Sequence, residues 1–416
     1  MNLRIKDYTT KVGSGVTPKG GAESYLSSGI PLFRSQNVHN FGFLMDDIAY
    51  ISEETDEQMS GSRVLPGDVL LNITGASIGR CFFTSDDFER GNVNQHVCII
   101  RPNQRVVKSS FLHYLLISNK GQMYIDLSQT GANRQGLTIE EIRNFSFDIP
   151  SVVEQQRIVD YLDKKLAAID HRVEVLEKEK DAYARLKKSV INQAVTRGLN
   201  PNVILKDSGI DWIGMIPEHW EVKRIKDIGS LKLGKMLDEK PKEGYQLKPY
   251  LKSKNIGWNE LKLDEVEEMY FNDSEMRLLL LKKGDLVLSE GGEVGKTSFW
   301  NEELNECYIQ NSVQKLTINK ENSSKYYLYL SYLFGQIGYY KSIVNLVSIM
   351  HLTFEKLRQV IVLCPPLKEQ QAIAAYLDEK CAKIDAAIEN ISKQIDASKR
   401  LKKAVINEAI SGKLFD

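Results

Sequence analysis

The chain has 416 residues, and its 55 Lys and Arg balance its 55 Asp and Glu, so that the formal net charge is zero. This length suits two to four domains, and the neutral balance excludes a protein that holds nucleic acid by bulk positive charge alone. With five cysteines lacking metal-ligand spacing, no apolar leader and no run near the ~20 apolar residues of a membrane helix, we expect a cytoplasmic protein with reduced, buried thiols.

Residues 1–150 are predicted to form a first globular domain of mixed α and β structure. GDVLL, at 67–71, is a short apolar run after a turn and predicts a strand, and 97–100 predicts another. The apolar spacing of 111–118 is typical of a helix.

Residues 151–200 are predicted to form one long helix. The stretch lacks Pro and Gly between 151 and 197, so a helix on the order of 65 Å is expected at 1.5 Å rise per residue. Apolar residues seven apart predict the seam of a two-helix coiled coil; these are Leu162, Ile169, Leu176, Tyr183 and Val190.

Gly198 and Pro201 end this helix, and 201–363 are predicted to form a second globular domain that repeats the first. RIKD occurs at 4–7 and 224–227, each followed by a Gly/Ser element, VGSG at 12–15 and IGS at 228–230. The other matching pairs are 34–38 with 252–256, 65–83 with 282–300, 94–97 with 310–313, and 136–138 with 351–353.

Residues 364–416 repeat the long helix at a constant offset of 215 residues, without a gap. The chain therefore reads as a tandem duplication, and each amphipathic helix needs a partner to bury its apolar stripe. The predicted fold class is α+β: two mixed α/β domains in tandem, each followed by a long helix, with the two helices paired as an antiparallel coiled coil of pseudo-two-fold symmetry.

A search for catalytic motifs argues against an enzyme. GGEVGKT, at 291–297, has one residue too few for a phosphate-binding loop, and a tight Gly-rich turn between strands explains it better. The six histidines are scattered without an HxxxH pair, which disfavours a metal site. We expect neither a catalytic residue nor a metal ligand in this chain.

The loops of both domains instead carry side chains that pair with base edges and phosphates. Asn and Gln can bind adenine, Arg and Lys can bind guanine, and Ser, Thr and Lys bind phosphates. The alternative is that these are ordinary turn residues. The DNA-binding candidates are Arg34, Ser35, Gln36, Asn37, Thr74, Arg80, Asn92, Asn94, Gln95, His96, Asn133, Arg134, Gln135, Lys252, Ser253, Lys254, Asn255, Lys296, Gln310 and Asn311.

The two helices share EQQ near their starts and LKK-x-VIN near their ends, which the coiled-coil seam alone does not require. This likeness favours a partner docking on each copy, although recent shared ancestry or a pure spacer role would also account for it. The partner-binding candidates are Gln155, Gln156, Lys187, Lys188, Asn192, Gln370, Gln371, Lys402, Lys403 and Asn407.

Two copies of P-x-x-x-EQQ-x-I-x-x-YLD…ID…LKK-x-V-IN-x-A, with WIGMIPEHWEVKRIKDI before the second domain, make the whole chain resemble the specificity subunit of type I restriction–modification enzymes. The resemblance implies two target recognition domains, each reading half of a bipartite sequence in double-stranded DNA. It implies helices that set the half-site spacing and bind two methyltransferase subunits, which methylate adenine with S-adenosylmethionine.

Motor/nuclease subunits that use ATP and magnesium would join them, and the chain itself would be non-catalytic, without a cofactor or a membrane partner. Because SQTGANRQGLT and VNLVSIMHLT differ widely at matching places, we expect two different half-sites. The alternatives are the specificity subunit of a two-part restriction enzyme with a fused nuclease–methyltransferase partner, a coiled-coil scaffold that does not bind DNA and, third, a stand-alone enzyme.

Overall fold

The computed structural model describes residues 1–129, 136–210, 213–344 and 351–412. The chain divides into two compact units, Met1–Leu176 with Lys393–Asp416 (unit 1) and Glu177–Ser392 (unit 2). The boundaries fall inside the two stretches that the sequence predicts as long helices. The narrower domain bounds, 1–150 and 201–363, stay a prediction.

Unit 1 is built mainly of short strands and short helices. Its strands are β1 (Asn2–Arg4), β2 (Thr9–Ser14), β3 (Ile30–Phe33), β4 (Val38–His39), β5 (Gly42–Phe43), β6 (Ala49–Ile51), β7 (Arg63–Val64), β8 (Val69–Asn72), β9 (Cys81–Phe83), β10 (Gly91–Val93), β11 (Val97–Pro102) and β12 (Ser146–Asp148). Its helices are α1 (Glu53–Gln58), α2 (Ser109–Ile117), α3 (Asn119–Ser128), α4 (Ile139–Asn144), the first part of α5 (Val152–Arg197) and the end of α11 (Leu367–Ile410).

Two four-stranded sheets form the globular part of unit 1, in the orders β2-β11-β8-β9 and β6-β3-β10-β7. β8 and the first four residues of β11 are completely buried, which explains why their sequences are continuous apolar runs rather than alternating patterns. One core joins this sheet, the apolar face of α2 and the start of α5, with Leu71, Ile100, Leu112 and Leu162 at 0% exposure.

Unit 2 repeats this plan. Its strands are β13 (Leu205–Asp207), β14 (Met215–Pro217), β15 (Glu221–Arg224), β16 (Gly229–Leu233), β17 (Tyr245–Leu251), β18 (Glu267–Asn272), β19 (Leu286–Ser289), β20 (Thr297–Phe299), β21 (Tyr308–Ile309), β22 (Val313–Ile318) and β23 (Ile361–Cys364). Its helices are the end of α5, α6 (Ile225–Ile228), α7 (Asp273–Leu279), α8 (Ser324–Gln336), α9 (Tyr339–Ser342), α10 (Phe354–Gln359) and most of α11 (Leu367–Ile410).

The sheets of unit 2 have the orders β16-β22-β19-β20 and β18-β17-β21, so that β16, β22, β19 and β20 take the places of β2, β11, β8 and β9. The turn before β8 and the turn before β19 are also built alike. Gly67 and Gly284 have positive φ, and the next residue, Asp68 or Asp285, accepts a backbone hydrogen bond from three residues earlier at 2.7 or 2.8 Å. The predicted strands at 67–71 and 97–100, the predicted helix at 111–118 and the duplication are confirmed.

The two long helices are confirmed, and they pair in antiparallel fashion within each unit. In unit 1, Asp170 of α5 bonds Lys402 of α11, while the later Arg172 bonds the earlier Gln394. In unit 2, Lys187 bonds Asp385, whereas Ile191 and Ala194, further along α5, share a core with Leu377, which is earlier on α11.

All five cysteines are unpaired and buried. Within the described residues, no helix has the length and apolar character needed to cross a membrane.

Candidate nucleic-acid interface

In unit 1, four loop segments meet at one end of the β2-β11-β8 sheet. Gly15, after β2, donates its backbone N–H to Val97 O at 3.2 Å. Ile73, after β8, donates to His96 O at 3.0 Å and accepts from Leu137 N at 2.9 Å. These bonds fix the backbone after β2 and β8, the turn between β10 and β11, and the segment that precedes α4.

The side chains on this framework form a continuous polar chain. Thr17 Oγ1 donates to Gln95 Oε1 at 2.5 Å, and Gln95 Nε2 lies 3.0 Å from Nε2 of His96. His96 Nδ1 lies 2.6 Å from Thr74 Oγ1. Because an amide nitrogen only donates, this pattern places the ring proton on Nδ1, which then donates to Thr74. The structure thus brings together three sequence candidates, Thr74, Gln95 and His96.

Close backbone contact makes glycine necessary at the base of this site. A Cβ on Gly15 would lie 1.9 Å from the carbonyl oxygen of Val93. In unit 2, a Cβ on Gly234 would lie 2.3 Å from the carbonyl oxygen of Gln310. The structure therefore pairs Gly15 with Gly234, and the sequence pairing of VGSG at 12–15 with IGS at 228–230 is wrong in register.

Unit 2 repeats the framework with different side chains. Gly234 N donates to Val313 O at 3.1 Å, Glu290 N to Ser312 O at 2.9 Å, and Leu352 N to Glu290 O at 2.9 Å. Gln310 Nε2 bonds Asn311 Oδ1 at 2.6 Å. Where unit 1 has Ile73, unit 2 therefore has a half-buried carboxylate at Glu290. Burial raises the pKa of Glu290, while nearby His351 acts in the opposite direction.

A second loop follows β3 in unit 1 and β17 in unit 2, and each copy is organised by one buried asparagine. Asn37 accepts from Arg34 N at 3.0 Å and donates to Leu44 O at 2.9 Å. Asn255 accepts from Lys252 N at 3.0 Å and donates to Lys262 O at 2.9 Å. Both side chains are at most 2% exposed, so their amides hold the loop rather than face a ligand.

Two further candidates of unit 1 are also buried. Asn92 is 0% exposed and bonds Asp56, Ser62 and Met59 O. Asn94 is 7% exposed and accepts from His96 N at 3.1 Å, as Gln310 accepts from Ser312 N in unit 2. Together with Asn37 and Asn255, these asparagines have structural roles, and the expectation that they bind DNA directly is not supported by their burial.

The remaining candidates of the second loop are exposed or half-buried, but they are bonded within their own unit. In unit 1, Gln36 bonds the carboxylate of Asp47, Arg34 donates to Asp47 O at 2.6 Å, and Ser35 O accepts from Asn72 at 2.7 Å.

In unit 2, Lys252 and Lys254 bond Glu267, and together with a hydrogen bond from Tyr250 they lower the pKa of Glu267 to about 2. Ser253 Oγ bonds Ser312 O at 2.7 Å, and Lys296 pairs with Glu293 at 2.9 Å. Arg80 is exposed, whereas Asn133, Arg134 and Gln135 lie outside the described residues.

Among the partner-binding candidates, Gln155 and Gln370 are completely buried. Gln155 accepts from Lys108 N at 2.9 Å and donates to Val106 O at 2.9 Å and Pro150 O at 3.0 Å. Gln370 accepts from Ser323 N at 2.8 Å and donates to Pro365 O at 2.7 Å. These glutamines anchor the helix starts to the globular parts, so they are unavailable to a partner.

The first lysine of each LKK motif is also used internally. Lys187 bonds both carboxylate oxygens of Asp385 at 2.7 Å, and Lys402 bonds those of Asp170 at 2.7 and 2.8 Å. Asn407 Oδ1 accepts from Asn119 N at 2.6 Å. The candidates that remain exposed or half-buried are Gln156, Lys188, Asn192, Gln371 and Lys403.

Sequence reasoning missed three residues of this region, which are Thr17, Glu290 and His351. Thr17 lies two residues beyond Gly15, and its place would follow from the Gly15–Gly234 match if the register had been found. Glu290 directly follows β19, at the position where a strand end faces the loops.

The Gly-rich stretch 291–297 leads from β19 into its antiparallel neighbour β20, and a helix does not follow it. The prediction of a turn between strands is thus confirmed, since a phosphate-binding loop needs a helix after it. Within the described ranges, no group of three His, Cys, Asp or Glu side chains has the arrangement of a metal site.

The chain is thus a protein of two similar α+β modules, whose loops present polar side chains at matching places. The family model described as type I restriction modification DNA specificity domain matches residues 3–178 and 217–397. The chain therefore belongs to the family of type I restriction–modification DNA specificity proteins.

Relatives of this family match the whole chain. The putative type I restriction enzyme MjaX specificity subunit of Methanocaldococcus jannaschii is 24% identical over 425 residues, covering 99% of this chain and 92% of that protein. The type I restriction enzyme EcoKI specificity subunit of Escherichia coli K12 is 22% identical over 432 residues, covering 99% and 88%.

Solved structures share the fold. A chain from a structural study of complex assembly and conformational transition of the type I restriction–modification system has a TM-score of 0.76 at 16% identity, covering 99% of this chain and 97% of its own length. The crystal structure of the HsdS subunit from Thermoanaerobacter tengcongensis has a TM-score of 0.60 at 17% identity, covering 99% and 96%.

Proposed function

We propose that this chain selects the DNA target of a type I restriction–modification complex, with each globular domain reading one half of an asymmetric bipartite sequence. The observation that carries the proposal is the repeated loop framework with unequal side chains. Gly15 and Gly234 make equivalent backbone hydrogen bonds in the two units. Unit 1 nevertheless presents Gln95 and His96 where unit 2 presents Asn311 and Ser312. Two domains that share a backbone framework but carry different polar side chains on it are suited to binding different bases.

The helices would fix the spacing between half-sites and dock two methyltransferase subunits that methylate adenine with S-adenosylmethionine. Helices of constant length would support a constant gap, as half-site spacing in dimeric binders follows from their geometry. The exposed residues of the repeated motifs, Lys188 and Asn192 on α5 and Gln371 and Lys403 on α11, are the docking candidates that remain, because the buried and ion-paired ones serve the fold.

We assign no catalytic residue to this chain. Methylation, and cleavage driven by ATP and magnesium, would belong to the modification and restriction subunits. The near-neutral charge fits a complex in which those subunits supply much of the contact with phosphates. The same features fit the specificity subunit of a two-part enzyme whose single partner fuses nuclease and methyltransferase, and the genes beside this one distinguish the two.

The test is to produce the chain with its candidate methyltransferase in a host without type I systems and to map methylated adenines. We expect one new motif of two different short half-sites with a fixed gap. Methyltransferase alone is the control and should give no such motif. A complex that forms but neither methylates a motif nor retards any duplex from a random pool would favour a scaffold that does not bind DNA.

A further inference from the structure

Gln95 differs from the other candidates of unit 1 because it is exposed and yet held at both ends of its amide. Thr17 Oγ1 bonds its oxygen at 2.5 Å and His96 Nε2 faces its nitrogen at 3.0 Å. His96 is held in turn by Thr74 at 2.6 Å. An exposed glutamine is normally free to rotate, and fixing it costs side-chain entropy.

The fold does not need this arrangement. The turn between β10 and β11 is already closed by main-chain bonds and by buried Asn94, and hydrogen bonds at an exposed site add little stability. A side chain that is ordered without a structural need is pre-organised for a ligand, since its ordering cost is met before binding.

The unused hydrogen-bonding capacity of the amide indicates the ligand. A carboxamide has two hydrogens and two oxygen lone pairs, and one of each is taken by His96 and Thr17. One donor and one acceptor remain on the same amide. In the major groove, adenine presents an acceptor beside a donor, at N7 and the N6 amine, whereas guanine presents two acceptors.

The surroundings suit a base edge at Gln95 and phosphates to either side. The two threonines of this polar chain, Thr17 beside Gln95 and Thr74 beside His96, carry no formal charge. Lys19 and Arg80, in the adjoining loops, are exposed and have no ion-pair partner within the part of the chain that the structure describes. We propose that Gln95 reads an adenine in the half-site of the first domain, and that Thr17 and His96 are positioning residues that orient its amide. This inference rests on the proposed function.

The experiment maps methylated motifs for the complex with Gln95→Ala, Thr17→Val and a matched control, Gln58→Ala, whose exposed glutamine lies on α1 of the same unit. For Gln95→Ala we expect one A·T position in one half-site to become degenerate, while the other half-site and the gap stay unchanged. Discrimination at that position should fall on the order of 5- to 150-fold in competition binding. Thr17→Val should relax the same position less, and Gln58→Ala should change nothing.

The unchanged second half-site shows that a variant folds and assembles. The inference is overturned if the relaxed position is not an A·T pair, if both variants keep the wild-type motif, or if Gln95→Ala abolishes methylation while Thr17→Val relaxes no position. Failure of the proposed function looks different, because the wild-type complex itself would then give no bipartite motif.

Discussion

Replacing Gln155 by alanine tests whether the repeated EQQ motif anchors the helix or binds a partner. The substitution leaves Lys108 N, Val106 O and Pro150 O without the hydrogen bonds that the glutamine makes to them at 2.9–3.0 Å. A buried polar group left without a hydrogen-bond partner costs about 1–3 kcal/mol. Because Val106 and Lys108 are half-buried, we take about 1 kcal/mol for each of the three groups, so the free energy of unfolding should fall by about 3 kcal/mol. In a unit of roughly 200 residues this lowers the midpoint of thermal unfolding by about 6–12 °C.

The assay is calorimetric unfolding of the intact chain, with Gln156→Ala as the matched control. Gln156 is the next residue on α5, and among the described residues its amide bonds Asp160 one turn away, at 2.7 Å, so its loss should cost at most about 0.5 kcal/mol. Gln370→Ala and Gln371→Ala repeat the comparison in unit 2. Equal stability of Gln155→Ala and Gln156→Ala, with methyltransferase binding lost only in the former, would refute the anchoring role.

Three further outcomes are expected. Gly15→Ala should destabilise unit 1 and degrade the reading of one half-site, because its Cβ would meet Val93 O, whereas Gly13→Ala, with open space around it, should preserve the motif. Burial lowers the pKa of His113 to about 3, so the unfolded ring binds a proton below pH ~6.5 while the folded ring stays neutral. As the pH falls from 6 to 4, the free energy of unfolding of the wild type should therefore decrease by up to about 1.4 kcal/mol per pH unit relative to His113→Met. Urea unfolding at several pH values measures this difference. Lys402→Met should lower the free energy of unfolding by at most about 1 kcal/mol, because its ion-pair partner Asp170 is largely exposed. Lys403→Ala should weaken methyltransferase binding, measured by titration calorimetry, without changing stability.

The sequence predicts the fold well because apolar patterns survive duplication. GDVLL and GDLVL become buried strands in the same place of each unit, and the two long helices begin and end close to the predicted residues. The apolar pattern of a segment depends mainly on the burial of that segment itself. Because the chain contains two copies of each segment, the prediction for one copy supports the prediction for the other.

The candidate site is predicted only in part, because asparagine and glutamine serve turns and ligands with the same groups. Asn37 and Gln95 look equivalent in the sequence, yet one is 1% exposed and closes its loop, while the other faces solvent. Lys252 and Lys254 suggest phosphate contacts until the structure places Glu267 beside them. Such contacts join residues far apart in the chain, and a pattern within one segment does not report them.

Exchange of one globular domain tests the central claim most directly. Residues 1–150 are replaced by the matching segment of a relative whose target is known, and methylated motifs are mapped with the same methyltransferase. We expect the half-site read by the first domain to change to that of the donor, while the other half-site and the gap between them stay as in wild type. A hybrid that folds and methylates DNA but alters both half-sites, or the gap alone, would contradict the account of two independent readers on one helical spacer.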